Sequence, residues 1–164
     1  MPISEALLGG IAVGIASQGF IPVIEFQFMG FVYAGFEQII SHAARMHQRT
    51  QGRLTCPIVY RIPYGGGIGA PEHHSESTEA LFAHIPNLHI MVPANAHEGY
   101  HLLNQAIDHP GPVIFLEPKK LIKYAEESSL DLLRLDGVKF DLFRNQWKIS
   151  NDKSVNYIAK FKKN

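Results

Sequence analysis

The pattern of apolar and polar positions in residues 1–118 alternates between two spacings. Short apolar runs typical of buried strands cover residues 22–26, 57–62, 89–93 and 112–118. Helical spacing of apolar residues, with fitting start and stop signals, predicts helices over about 5–18, 35–48, 78–84 and 96–107. Strands that alternate with helices indicate an α/β fold, with a mostly parallel sheet that carries helices on both faces.

The first predicted helix is unusually apolar. Ser4 is a suitable N-cap and Gly19 a suitable stop, while Glu5 is the only charged residue among the first 24. No basic residue precedes the apolar run, and three glycines interrupt it. These features favour a buried helix over a signal peptide or a membrane span. The single cysteine, Cys56, suits a reducing cytoplasm.

Charge divides the chain near residue 120. Residues 1–118 hold four arginines against nine acidic residues, a formal charge of −5, whereas residues 119–164 hold eleven basic against six acidic residues, a charge of +5. The shift predicts a boundary there, and the tail shows some strand-like alternation. It could be a short hairpin, a poorly ordered extension or a partner-binding segment. The zero net charge of the whole chain gives no indication of nucleic acid or of an anionic membrane as partner.

A glycine-rich loop, YGGGIGAPEHHSES at residues 64–77, follows the second predicted strand directly. Ligands in parallel α/β sheets bind beyond the carboxyl ends of strands, so the loop is well placed for a site. Its glycines lack the spacing of either phosphate-binding motif, which favours a turn with close backbone packing. His73, His74 and Glu76 are all metal-ligand types, although no metal-binding spacing accompanies them. A histidine at this loop-to-helix junction could also serve as an acid or base, and a surface or capping histidine is the plainer interpretation. Ser75 or Ser77 could cap the short helix that follows.

Two further features admit both a structural and a functional interpretation. Glu5 suits the positive end of the helix dipole, or it is a partly buried carboxylate that exchanges a proton. Five aromatic residues lie between Phe26 and Phe36, and most belong in a core. One exposed ring among them could stack on a flat heterocycle.

Four motifs in order, PISE, EFQF, PYGGGI and HHSES, make the chain from Pro2 to about Tyr124 resemble the β subunits of pyruvate dehydrogenase E1. These subunits belong to the thiamine-diphosphate-dependent 2-oxo acid dehydrogenases. The resemblance implies a transketolase-like pyrimidine-binding domain over residues 1–124, followed by a divergent basic tail over 125–164. It also implies a chain that is truncated at both ends relative to the family.

The resemblance implies specific residue roles. Glu5 would hydrogen-bond N1′ of the cofactor's aminopyrimidine, and Phe31 would pack on that ring. His74, directly before the S-x-S sequence, would line the entrance to the cofactor and assist transfer of the acyl group to lipoamide. Backbone carbonyls would hold a structural potassium ion; the matching positions are Ile58, Ala106, Ile107, His109 and Gly111.

The resemblance also implies partners. The chain would work with an E1 α subunit in an α2β2 assembly, where the α subunit holds Mg2+ and the diphosphate of thiamine diphosphate. It would decarboxylate pyruvate oxidatively, as a small-molecule 2-oxo acid, and pass the acetyl group to the lipoyl acyltransferase E2. No nucleic acid and no membrane would be involved, and the location would be cytoplasmic.

Other hypotheses remain open from the sequence. The branched-chain 2-oxo acid and acetoin dehydrogenase β subunits share the same plan. A non-catalytic truncated remnant is a second alternative. A free-standing metal or acid–base hydrolase that uses Glu72, His73, His74 and Glu76 is a third.

Overall fold

The computed structural model describes residues 3–66, 70, 72–118, 130–141, 146–150 and 157–163, the last three ranges as backbone strands. Contacts divide the chain into two units. One comprises Met1–Ala94 and Glu98–Lys119, and the other comprises Asn95–His97 and Lys120–Asn164. Among the described residues, no helix combines the length and the apolar content that a membrane crossing requires.

The first unit is built on a four-stranded parallel sheet. Its strands are β1 (Val23–Glu25), β2 (Val59–Tyr64), β3 (His89–Met91) and β4 (Val113–Pro118), in the order β1-β2-β4-β3. Val59 of β2 pairs with Val23 on one side and with Val113 on the other. The predicted α/β class with a mostly parallel sheet is confirmed.

Helices cover both faces of the sheet. They are α1 (Glu5–Ser17), α2 (Met46–Arg49), α3 (Glu79–Ala83) and α4 (Ala96–Asp108). Because strand side chains alternate, Tyr60, Ile62, Ile114 and Leu116 point to a core shared with α1, while Val59, Val113 and Phe115 pack against α4. Burial of these two apolar sets supplies the main driving force for the fold.

Helix α1 begins and ends as the sequence predicts. The Ser4 Oγ accepts a hydrogen bond from the Leu7 backbone N–H at 3.3 Å, which caps the first turn. Gly19 adopts a φ of +88°, a left-handed conformation that favours glycine at a helix end.

The helix predicted over residues 35–48 is wrong as one regular helix. The chain instead forms 3-10 turns over Met29–Gly35, a π-helical turn over Gln38–His42, a further 3-10 turn over Ala43–Arg45, and then α2. Tight packing against α1 accompanies this irregularity. A Cβ on Gly9 would lie 2.9 Å from the Gln38 Cβ, and one on Gly35 would lie 2.8 Å from the Glu5 carbonyl oxygen.

The predicted caps of the short helix are also wrong. Helix α3 has Thr78 at its N-cap position, without a side-chain capping bond. Ser75 instead donates its hydroxyl to the Ala70 carbonyl oxygen at 2.7 Å, so it closes the preceding loop.

The second unit is antiparallel. It consists of β5 (Leu130–Asp141), β6 (Gln146–Ser150) and β7 (Tyr157–Lys163) in the order β6-β5-β7, with an irregularity in the β5–β7 register between Leu132 and Arg134. Of the three possibilities left open for the tail, a hairpin-like arrangement is the nearest to this three-stranded sheet.

Candidate functional site

Two loops that follow neighbouring strands meet at the carboxyl end of the sheet. The segment after β1 carries Phe28 and Phe31, and the loop after β2 carries His73 and His74. The Gly30 backbone N–H donates to the His73 carbonyl oxygen at 3.0 Å. A Cβ on Gly30 would lie 2.5 Å from the His73 Cα, so only glycine permits this close approach.

His74 lies against both phenylalanines. Its ring centroid is 4.5 Å from that of Phe28 and 5.5 Å from that of Phe31, both in edge-on geometry. Phe28 is buried, whereas Phe31 and His74 are half-buried, so both of these side chains keep an accessible surface. The structure therefore brings together Phe31 and His74, two of the residues predicted for the site.

His73 occupies a different position from its neighbour. Its side chain is 52% exposed, and its ring stacks on Phe31 with centroids 6.2 Å apart. Its Nδ1 lies 3.9 Å from a Glu76 carboxylate oxygen, and its Nε2 lies 3.7 Å from a Glu72 oxygen. Within the described ranges, no group of three or more His, Cys, Asp or Glu side chains is arranged to hold a metal ion. This finding gives no support to a metal-dependent hydrolase.

Glu5 is the first residue of α1 and is half-buried. In the part of the chain that the structure describes, its carboxylate makes no hydrogen bond or ion pair, while its backbone carbonyl oxygen faces Gly35 at the end of the segment that bears Phe31. A half-buried carboxylate without an internal partner is suited to accept a hydrogen bond from a ligand. The segment 28–35 thus contacts Glu5 at one end and His74 at the other.

The five positions predicted to hold a potassium ion lie where α4 ends and where β2 and β4 begin. Ala106 and Ile107 lie in the last turn of α4, His109 and Gly111 follow it, and the Ile58 carbonyl oxygen accepts from the Val113 N–H at 2.8 Å. Carbonyl groups at a helix C-terminus lack intrahelical donors, and the helix dipole favours a cation there. A carbonyl oxygen that accepts one hydrogen bond retains a second lone pair for a cation.

His109 shapes this turn through its side chain. The Gly111 backbone N–H donates to the His109 Nδ1 at 3.0 Å, and the His109 ring lies 3.9 Å from that of His89. Burial, and then the charge of His109, lower the pKa of His89.

A charged group on the α4 side of the sheet spans three strands, and no motif in the sequence predicts it. The Arg61 guanidinium contacts Glu117 at 2.7 Å and Glu25 at 3.3 Å. Burial raises the pKa of Glu117, while the adjacent Arg61 opposes that rise. Because these three side chains extend from β1, β2 and β4, they tie together the strands whose ends carry the site.

A second missed contact joins the two site loops. The Tyr33 hydroxyl donates a hydrogen bond to the Glu76 carboxylate, across 43 residues of sequence. This hydrogen bond, then burial, and then the charge of Glu76 raise the pKa of Tyr33. The phenol therefore remains protonated, and able to donate, at neutral pH.

Comparison with known proteins assigns a family. Residues 1–124 match the transketolase pyrimidine-binding domain. The chain is 45% identical over 126 residues to the pyruvate dehydrogenase E1 component subunit beta of Acholeplasma laidlawii. This match covers 77% of the present chain and 38% of that relative. It is 49% identical over 119 residues to the 3-methyl-2-oxobutanoate dehydrogenase subunit beta of Mycobacterium tuberculosis (strain ATCC 25618 / H37Rv). That match covers 73% of the present chain and 34% of the relative.

A solved structure agrees with this assignment. A split gene transketolase, described as an inactive beta4 tetramer, matches with a TM-score of 0.60 and 25% identity, over 73% of this chain and 36% of that one. The chain spans less than two fifths of the length of the relatives given above. The resemblance identified from the motifs is confirmed, and the chain belongs to the family of transketolase pyrimidine-binding domains.

Proposed function

We propose that the chain is the pyrimidine-binding part of a β subunit of pyruvate dehydrogenase E1. It would take part in oxidative decarboxylation of pyruvate and in acetyl transfer to the lipoyl acyltransferase E2. The observation that carries this proposal is the segment 28–35, in which Gly35 packs against the backbone of Glu5 while Phe28 and Phe31 contact His74. Relatives named as pyruvate dehydrogenase and as branched-chain 2-oxo acid dehydrogenase β subunits both support it.

The residues fit thiamine diphosphate. When bound, this cofactor would supply an electron sink for the electron pair that stays on the former 2-oxo carbon as CO2 leaves. The Glu5 carboxylate would accept a hydrogen bond from the aminopyrimidine and so keep a proton on that ring. No described group competes for the carboxylate. The half-buried Phe31 ring offers an apolar face for the same heterocycle.

His74 would act at the later, acyl-transfer stage. Its ring is held on edge by Phe28 and Phe31 and remains partly accessible, so it can hydrogen-bond a group that enters from solvent. An imidazole can donate or accept a proton near neutral pH, which suits transfer to a lipoyl thiol.

The surface of α1 supports a partner subunit. Leu7, Ile11 and Ile15 recur every four residues and are 38–39% exposed, which forms an apolar stripe along one side of the helix. Such a stripe is typical of an interaction surface. We propose an E1 α subunit in an α2β2 assembly as the partner, with Mg2+ and the diphosphate held by that subunit.

A structural potassium ion is proposed at the carbonyl groups of Ile58, Ala106, Ile107, His109 and Gly111. Support comes from their clustering at the C-terminus of α4, where an uncompensated negative dipole favours a cation. Replacing KCl by choline chloride at equal ionic strength should lower the melting temperature by a few degrees, on the order of 1 kcal/mol. An unchanged melting temperature would contradict the site.

The function is tested by reconstitution with an E1 α subunit, thiamine diphosphate and Mg2+. We expect pyruvate to be decarboxylated with a dye as electron acceptor, at a higher kcat/KM than 3-methyl-2-oxobutanoate. Preference for the branched acid would assign the chain to the branched-chain enzymes. The absence of any cofactor-dependent decarboxylation with a well-folded α subunit would favour a non-catalytic remnant.

A further inference from the structure

We propose that Tyr33 and Glu76 are positioning residues for His74, joined as a clamp between the two loops of the site. The proposal rests on the proposed function, because it assigns His74 a role in acyl transfer. It adds Tyr33, and gives a role to Glu76 of the HHSES motif, two residues to which the family resemblance assigned none.

The clamp is one charge-assisted hydrogen bond. The Tyr33 hydroxyl donates to the Glu76 carboxylate, so a residue after β1 is bound to a residue after β2. Hydrogen bonds to ionised groups are shorter and stronger than those between neutral groups. Tyr33 is 48% exposed, so apolar burial contributes only part of what holds its ring in place.

Glu76 is fixed at both its side chain and its backbone. Its carbonyl oxygen accepts from the Gly65 N–H at 2.9 Å, and Gly65 has a φ of +82°, which only glycine adopts without strain. On the other side of His74, the His73 carbonyl oxygen accepts from the Gly30 N–H at 3.0 Å. Attachments therefore flank His74 on both sides.

The contacts of His74 itself are weakly directional. It touches Phe28 and Phe31 edge-on, and such aromatic contacts contribute about 0.5–1.5 kcal/mol each. They leave the ring free to shift if the loop shifts. The position of the imidazole therefore depends on how firmly residues 73–76 are held against residues 28–33, and the Tyr33–Glu76 bond is the described side-chain hydrogen bond that joins these two stretches.

The first test measures the position of the His74 ring by NMR and needs no enzyme activity. Ring currents from Phe28 and Phe31 displace the NMR signals of the His74 ring protons, which the His74→Gln variant identifies. In the 164-residue chain, Tyr33→Phe should move the His74 Cε1–H signal towards those of the exposed His47 and His84. The control Tyr100→Phe removes a hydroxyl from a tyrosine that is 69% exposed on α4, and it should leave the His74 signal in place.

The second test separates positioning from a general loss of structure. In the reconstituted enzyme, Tyr33→Phe should lower the ratio of lipoyl acetylation to dye-coupled decarboxylation about tenfold, the factor that corresponds to 1.4 kcal/mol. Glu76→Ala should cause a similar loss, and the double variant should lose no more than either single one. A merely structural defect would lower both activities together.

The outcomes distinguish this proposal from the proposed function. An unmoved His74 signal in Tyr33→Phe, or losses that multiply in the double variant, would overturn the clamp. A moved His74 signal in a chain that shows no cofactor-dependent activity would support the clamp and overturn the proposed function.

Discussion

Helices α1 and α4 have the same length, 13 residues, but opposite relations to solvent. The exposed side chains of α4 include the polar residues His101, Asn104 and Gln105. The outer side of α1 carries the apolar stripe of Leu7, Ile11 and Ile15. The exposed side chains of α4 suit contact with water, whereas the apolar stripe of α1 is the surface proposed above for a partner subunit.

The first turns of the two helices also differ, in whether their acidic residue has a hydrogen-bond partner. Each has an acidic residue there, as the helix dipole favours. The Glu98 carboxylate of α4 accepts a hydrogen bond from the Ala94 N–H at 2.9 Å and so has a structural task. The Glu5 carboxylate of α1 has no partner among the described residues, which leaves it available to a ligand.

The largest effect is expected where the exposed apolar stripe is broken. Ile11→Asp should weaken association with the E1 α subunit at least about 100-fold, since a buried unpaired charge costs several kcal/mol at an interface. The matched change on α4, Tyr100→Asp, should leave association unchanged. Analytical ultracentrifugation measures both, and equal affinities of the two variants would contradict the division between the helices.

A smaller effect is expected at the charged group on the α4 side of the sheet. Arg61→Met leaves Glu117 and Glu25 without their cation and should lower the free energy of unfolding by about 1–3 kcal/mol at pH 8. Arg53→Met is the control, because Arg53 is exposed and, among the described residues, its Nε donates to a backbone carbonyl oxygen, that of Thr50, and not to a carboxylate.

The pH dependence of this loss has a definite sign. Burial raises the pKa of Glu117 in the folded chain, so folding favours its protonated form, and this contribution is lost as pH rises through the raised pKa. Removing Arg61 raises that pKa further. Urea denaturation should therefore show a larger deficit for Arg61→Met at pH 8 than at pH 5, and a deficit independent of pH would rule out this ion pair as its cause.

The smallest effect is expected inside the core on the α1 side. Tyr60 is fully buried, and its hydroxyl has no hydrogen-bond partner among the described residues. Burial, with a smaller contribution from Cys56, raises the pKa of Tyr60. Tyr60→Phe should raise the free energy of unfolding by about 1 kcal/mol, because it removes a polar group that is buried without compensation. A loss of stability in urea denaturation would show that the hydroxyl has a partner.

Local signals in the sequence predicted local structure well. Ser4 and Gly19 mark the ends of α1, and the apolar runs mark all four strands of the parallel sheet within two residues. The irregular turns over residues 29–45 were not predictable, because they accompany the close approach of Gly9 to Gln38 and of Gly35 to Glu5. Tertiary packing of this kind overrides helical spacing.

The candidate site was predictable only in part. The family resemblance predicted roles for Glu5, Phe31 and His74, and the structure shows that the last two are in contact. The Tyr33–Glu76 bond and the Arg61 ion pairs join residues from different strands and loops. No spacing rule within one sequence reveals such pairs, since they depend on how the strands are ordered in the sheet.

The most direct measurement compares the two first-turn acids in the reconstituted enzyme. Glu5→Gln should lower thiamine-diphosphate-dependent decarboxylation of pyruvate at least about 100-fold, the scale of a lost acid–base group. Glu98→Gln should reduce it no more than about twofold, because Glu98 bonds the Ala94 N–H at the start of α4 and is not among the residues proposed for the cofactor. Full activity of Glu5→Gln, or equal losses in the two variants, would contradict the assignment of Glu5 to the cofactor.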